Sequence, residues 1–215
     1  MKISPSLLAC DFARLAEEIR RSEAAGADWL HVDVMDGHFV PNLTVGPSVV
    51  RSVKRAARVP LDVHLMIAEP AKYVAAFVEA GSDYLTIHAE SEGDTAALLE
   101  EIRRLGAKPG LTVRPGTDLS SFEACGDLID LALVMAVEPG FGGQTFMPES
   151  LARIRALRGM LGERVEIAVD GGVTVDNAKA IGDAGASVLV AGTAVFGAPD
   201  IAAAVAALRG DACGA

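Results

Sequence analysis

Residues Lys2 to Phe12 read KISPSLLACDF, and the second half of this stretch decides the fold. Lys2 to Pro5 form a short strand-like run, and a segment of helical pattern follows from Asp11. An open, doubly wound sheet that binds a dinucleotide needs Gly-x-Gly-x-x-Gly at this first strand-to-helix turn, so that the backbone can approach a pyrophosphate. SLLACDF stands there instead and contains no glycine. Outward from this turn, β-branched apolar runs alternate with Ala/Glu/Arg/Leu stretches of helical period. Strands are expected to begin near Lys2, Trp29, Leu61, Tyr84, Lys108, Leu131, Glu166 and Val188. Amphipathic helices are expected over 11–25, 71–80, 95–105, 149–161 and 175–184. Eight strand–helix units in about 210 residues predict an α/β fold of the TIM type, a closed parallel (β/α)8 barrel.

The boundaries carry their own chemistry. Asp11 precedes FARLAEEIRR as a helix cap, and Gly26 closes that helix. The same ending returns at Gly81, Gly106 and Gly185, where glycine permits the left-handed turn that hands a helix to the next strand. No linker or low-complexity run divides the chain, so residues 1–210 are expected to be one catalytic domain, with 211–215 as a loose tail.

Composition excludes several classes of function. The chain has 215 residues, 51% hydrophobic, enough for a substantial core. With 19 basic and 29 acidic residues its formal net charge is −10, and no basic patch suggests a nucleic-acid partner. Arg20-Arg21, Lys54-Arg55 and Arg103-Arg104 fall on exposed helix faces. No apolar run reaches the ~18 residues of a membrane span, and no signal peptide opens the sequence. The three cysteines, Cys10, Cys125 and Cys213, are scattered and lack metal or disulfide spacing. A cytoplasmic enzyme of small molecules is the expectation.

In such a barrel the chemistry gathers at the C-terminal strand ends. There, residues 31–37 read HVDVMDG, and alternation puts His31 and Asp33 on one face with Val32 and Val34 on the other. Asp36 and Gly37 belong to the following turn. LDVHLM and LTIHAE bring His64 and His88 on the next strands, and EIAVDGG ends the seventh strand at Asp170. A single strand histidine is commonly a hydrogen-bonded core residue. Two histidines and two carboxylates from different strands also suit one divalent ion, and a cation would offset the cost of burying Asp33. Spacing alone leaves both readings open.

A second signal follows strands six, seven and eight, which run into EPGFGGQTF (138–146), Asp170-Gly171-Gly172 and Ala191-Gly192-Thr193. Glycine is what tight turns need. Three glycine-bearing loops on adjacent strands are also where barrels bind phosphate through backbone N–H groups. None of these motifs contains Lys or Arg, so binding here would rest on amide dipoles.

Together these stretches resemble the ribulose-phosphate 3-epimerase family. The resemblance is carried by SPSLLACDFARL (4–15), HVDVMDGHFVPNLTVGP (31–47), LDVHLM (61–66), VEPGFGGQTF (137–146), VDGGV (169–173) and VAGTAVF (190–196), in order along nearly the whole chain. It implies interconversion of D-ribulose 5-phosphate and D-xylulose 5-phosphate with one divalent metal ion, Zn²⁺, Fe²⁺, Mn²⁺ or Co²⁺. The metal ligands it implies are His31, Asp33, His64 and Asp170, with Asp33 and Asp170 also the acid/base pair. Ser6 and His64 would contact the sugar. Gly140, Phe141, Gly142, Gly143, Gly171, Gly172, Gly192 and Thr193 would shape the sugar and phosphate site. Met35, Met66 and Met135 would lie around the reacting carbons. A homo-oligomer, dimer or hexamer, is the implied assembly.

Two positions depart from the family pattern. Thr193 replaces the usual serine, and Arg114-Pro115-Gly116 replaces an Asn-Pro-Ala or Asn-Pro-Glu type sequence; of the two places open to Arg114, the mouth beside an anionic substrate and solvent, solvent is the expectation. Rival readings are an epimerase of allulose 6-phosphate, a related decarboxylase or synthase barrel, and a non-catalytic phosphate-binding barrel. The second would need Asp-x-Lys-x-x-Asp on strand three, where Asp62-Val63-His64 stands without lysine. The third would predict loss of a ligand or an acid/base residue, and all four are present.

Overall fold

The computed structural model describes residues 1–210, so the tail expected at 211–215, with Cys213, lies outside the described residues. Parallel strands β1 (Lys2–Pro5), β2 (Leu30–Met35), β3 (Leu61–Met66), β4 (Tyr84–His88), β5 (Lys108–Val113), β6 (Leu131–Met135), β7 (Glu166–Asp170) and β8 (Val188–Ala191) form one sheet. Each pairs with its neighbour in the chain, β1 pairs with β8, and a parallel bridge between Ser6 and His31 closes β1 onto β2. The expected closed barrel is what forms. Every strand begins where the pattern put it, except that β2 starts at Leu30 rather than Trp29.

Helices α1 (Leu15–Ala24), α2 (Pro47–Ala56), α3 (Val74–Ala80), α4 (Thr95–Arg104), α5 (Ser120–Cys125), α6 (Ser150–Leu161), α7 (Val175–Asp183), α8 (Thr193–Phe196) and α9 (Ile201–Arg209) lie between the strands or follow them. The helix expected over 11–25 is broken. Asp11 caps a short 3-10 turn, Phe12–Arg14, by accepting the Ala13 N–H, and Arg14 leaves helical geometry before α1 begins. The one expected over 71–80 likewise opens as a 3-10 turn at Pro70 and becomes α-helical only at Val74. Gly26, Gly81, Gly106 and Gly185 all have φ between +92° and +112°, the left-handed turns that the sequence required of them.

Strand alternation divides the core in two. Leu30, Val32, Leu61, Val63, Leu65, Leu85 and Ile87 face outward into the layer shared with the helices. Trp29, Tyr84, Leu131, Leu133, Met135, Ala168, Val188 and Val190 form a separate cluster inside the barrel. Its N-terminal end is plugged by Trp29 and Tyr84, whose ring centroids are 4.4 Å apart, with Lys2 and Lys108 over the two rings. The interior is therefore filled from below, and its polar side chains are left for the upper layers.

Gly110 shows how tightly those layers meet. A Cβ there would lie 2.2 Å from Thr86 Oγ1 and 3.1 Å from the Thr86 Cα, inside the barrel. Gly110→Ala is expected to destabilise the fold by about 1–3 kcal/mol through overpacking. A urea midpoint equal to that of the unsubstituted protein would contradict this.

Candidate active site

At the upper end of the barrel the alternation of β2 turns His31 and Asp33 inward, and the ladder to β3 sets Asp33 beside His64. Asp170, the last residue of β7, approaches from the other side. One ligand-capable atom from each of His31, Asp33, His64 and Asp170 can be chosen so that all lie within 4.8 Å of one another. The structure thus brings together all four residues singled out as ligands. Asp33 Oδ1 is 3.1 Å from His31 Nε2 and 3.2 Å from His64 Nδ1. Neighbouring ligands around an ion held at about 2.1 Å stand at about this separation. Asp33 Oδ2 accepts a hydrogen bond from the Ser6 hydroxyl at 2.8 Å.

Each imidazole is held from behind. His31 Nδ1 lies 2.7 Å from Asp62 Oδ2, and His64 Nε2 lies 2.9 Å from His88 Nε2. The nitrogens facing Asp33 are therefore His31 Nε2 and His64 Nδ1, a donor set of two imidazoles and two carboxylates that fits a divalent ion. Sequence reasoning passed over Asp62 and left His88 without a role. The signal for Asp62 was the alternation that had worked on β2, since Asp62 and His64 are two residues apart on one strand face.

The electrostatics separate the two carboxylates. Burial works against a charged Asp33, but the His31 and His64 rings outweigh it and hold its pKa well below the usual range. Burial also opposes charge on His31, yet Asp33 and Asp62 raise its pKa well above the ordinary value. At Asp170 the same two rings give only partial relief. Burial and the charge of Asp33 push it up to about 6. Of the two carboxyl groups facing one space, Asp170 thus takes up a proton more readily than Asp33, a difference of the kind that acid/base pairs use. His88 is depressed to about 4, mainly by burial, and is a neutral imidazole.

Above this floor opens a cavity of about 730 Å³. Ser6, Asp33 and Asp170 line its base, Met35, Met66 and Met135 its apolar wall, and Gly140–Gly143, Gly171, Gly172, Gly192 and Thr193 its rim. His31 and His64 lie beneath it, fully buried. No Lys or Arg is among the lining residues, so the glycine-rich rim carries no cation. Phe141 is largely exposed at the edge.

The rim is tied together by side chains that the sequence reading did not single out. Asn42, from the loop after β2, donates to the Gly140 carbonyl at 2.8 Å. Gln144 donates to the Glu138 and Phe141 carbonyls. Asn177 forms a capping box with Thr174 and donates to the Gly172 carbonyl, fixing the glycine turn after β7. Asp36 is structural, as its position in the turn suggested. It accepts from the backbone N–H groups of His38, Phe39 and Ala68, which lower its pKa despite partial burial.

Arg114 does not lie free in solvent. Its guanidinium stacks over the Phe39 ring at 4.3 Å and donates to the Phe39 carbonyl. The apolar ring face and the Phe39 carbonyl hold the long side chain against the protein.

The model of the ribulose-phosphate 3 epimerase family matches residues 2–196. A ribulose-phosphate 3-epimerase from Synechocystis is 49% identical over 212 residues, covering 96% of this chain and 92% of that protein. One from Bacillus subtilis is 44% identical over 214 residues, covering 98% and 99%. Among solved structures, 3-keto-L-gulonate-6-phosphate decarboxylase from Vibrio cholerae shares the fold with a TM-score of 0.72, at 17% identity over 98% of this chain and 96% of that one. Among the described residues no helix is long and apolar enough to cross a membrane.

Proposed function

We propose a function from one premise: this chain belongs to the ribulose-phosphate 3 epimerase family. It is an isomerase that interconverts D-ribulose 5-phosphate and D-xylulose 5-phosphate by inverting C3. The observation that carries this reading is the pair Asp33 and Asp170, reaching one cavity floor from β2 and β7.

Inversion beside a carbonyl requires a proton to leave one face of the carbon and another to arrive on the opposite face. A single base would return the proton to the face it came from. Ionised Asp33 is suited to accept the C3 proton in one direction, while protonated Asp170 donates to the other face of the planar enediolate. Each turnover leaves the proton on the opposite carboxyl group, and the reverse reaction exchanges the roles. Ser6 holds the second oxygen of Asp33 and so fixes the plane of the base. A divalent ion held by His31 Nε2, His64 Nδ1, Asp33 and Asp170 would supply Lewis-acid stabilisation of the negative charge that the sugar develops.

The remainder of the cavity binds and orients. The glycine-rich rim of Gly140–Gly143, Gly171, Gly172, Gly192 and Thr193 would take the phosphate through backbone amides, remote from the reacting carbon, where binding energy holds C3 between the carboxyl groups. Met35, Met66 and Met135 keep water from the enediolate. A cytoplasmic setting and a homo-oligomeric assembly, dimer or hexamer, belong to the same proposal.

The test is an assay on D-ribulose 5-phosphate beside D-allulose 6-phosphate. The kcat/KM for the pentose is expected to be higher by roughly tenfold or more, a difference that one additional carbinol group can produce. Equal or reversed preference would favour the hexose enzyme. Chelation should abolish turnover, and adding back Zn²⁺, Mn²⁺, Co²⁺ or Fe²⁺ should restore it. A fully active chelated protein with no bound metal would overturn the assignment of the four ligands.

A further inference from the structure

We propose that His88 and Glu90 are positioning residues that fix the tautomer of His64 and thereby aim its Nδ1 lone pair at the metal site. The inference rests on the metal-site reading above and deepens it.

The geometry begins with two imidazoles meeting end to end. His64 Nε2 and His88 Nε2 are 2.9 Å apart, with ring centroids at 5.0 Å and ring planes inclined by 27°. Both rings are buried. Two ring nitrogens can approach this closely without water only if one proton lies between them, donated by one ring and accepted by the other. If His88 were the donor, neutral His64 would carry its proton on Nδ1, pointing at Asp33, and would have no lone pair there for a metal. If His64 is the donor, Nδ1 is free to ligate.

Glu90 decides between these states. Its Oε2 lies 3.4 Å from His88 Nδ1. Its Oε1 is pinned by the Arg114 N–H at 2.7 Å and the Thr117 hydroxyl at 2.6 Å. His88, Thr117 and the Arg114 N–H together lower its carboxyl to about 2 in spite of burial, and the two donors on Oε1 by themselves favour a carboxylate facing His88. A lone pair on His88 Nδ1 would face that negative charge, whereas an N–H there is attracted to it. With a cation in place of a proton between His64 Nδ1 and Asp33 Oδ1, the proton of His88 belongs on Nδ1, its Nε2 becomes the acceptor, and His64 donates from Nε2.

The ring of His88 is also held in plane. Phe39 packs on it at a centroid distance of 4.6 Å, and the Arg114 guanidinium stacks over the Phe39 ring. Arg114, the residue that departs from the family pattern, thus supports this relay twice, through its backbone N–H to Glu90 and through its side chain on Phe39.

The experiment compares the unsubstituted protein with His88→Phe, His88→Gln and Glu90→Gln after chelator stripping. Zn²⁺ affinity is read by competition with a chromophoric chelator, and Co²⁺ is used for its visible absorption spectrum. His88→Phe keeps an aromatic ring of similar size but has no acceptor, and its Zn²⁺ affinity is expected to fall about 10–100-fold with an altered Co²⁺ spectrum. His88→Gln restores an acceptor and should bind within a few-fold of the unsubstituted protein. Glu90→Gln should lie between them. In the zinc-loaded unsubstituted protein, long-range ¹H–¹⁵N correlations should show His64 protonated at Nε2 and His88 at Nδ1. That readout stands even if a variant fails to fold. His88 protonated at Nε2, or His88→Phe binding Zn²⁺ as tightly as the unsubstituted protein, overturns this inference alone. An unsubstituted protein that binds neither metal overturns the metal-site reading and this inference with it.

Discussion

Asp170→Asn is expected to lower epimerase turnover by about 10⁴-fold, the upper range for removal of a general acid or base. The folded protein should be as stable as the unsubstituted one or more so. Asp170 sits where burial and the charge of Asp33 both disfavour its ionised form, so a neutral amide of the same shape relieves a repulsion. Asp33→Asn should lose turnover to a similar degree but is not so benign structurally. Its Oδ1 stands between two histidine nitrogens and its Oδ2 accepts from Ser6, and one amide cannot present an acceptor on both sides. The sharper readout is isotope exchange in deuterated water. With one carboxylate left, a variant can still remove and return the C3 proton on one face, which washes deuterium into one epimer without inverting it. Residual exchange should therefore fall on different epimers in Asp33→Asn and Asp170→Asn. Exchange of the same epimer in both variants, or near-normal epimerisation in either, would overturn the two-base assignment.

The barrel was legible because its signals are local and repeated. An apolar run, a helical period and a left-handed glycine recur along the chain, and strand starts followed within one residue. The four ligands were legible for the same reason, since period-two alternation puts His31 and Asp33 on one face whatever lies opposite. What escaped was pairing across the barrel. Nothing near His88 in sequence says that its Nε2 will meet His64, which lies 24 residues earlier on the preceding strand, β3. Arg114 looked solvent-bound because its partner, Phe39, is 75 residues away in a loop without periodicity. The Asn42 contact to Gly140 spans 98 residues between two loops. Such contacts depend on strand stagger and loop shape, which the pattern of apolar residues does not encode. The helix expected over 11–25 failed for a local reason, because an aspartate cap can begin a 3-10 turn as well as an α-helix.

Gly172→Ala is expected to cut kcat/KM by roughly 100-fold, the penalty for misplacing a bound substrate by about 1 Å. Gly172 has φ +64°, where a side chain adds strain of about 1–2 kcal/mol. Strain is the smaller part. A Cβ there would stand 2.2 Å from the Phe146 nitrogen, 2.6 Å from the Phe146 Cα and 2.8 Å from the Thr145 carbonyl carbon. All three are backbone atoms of the loop after β6, so no rotamer change can make room. That loop or the turn after β7 must move, and both carry the rim amides. Gly143 provides the comparison, because its φ is +76° but nothing lies within 4 Å of an added Cβ. Gly143→Ala should show the strain alone, a modest loss of stability with a smaller kinetic effect. Gly172→Ala should also raise KM for the sugar phosphate, since loop displacement reaches the phosphate end of the cavity while leaving Asp33 on β2 in place. If the two variants proved kinetically alike, backbone strain would account for both, and close packing of the two loops would not be what sets the rim.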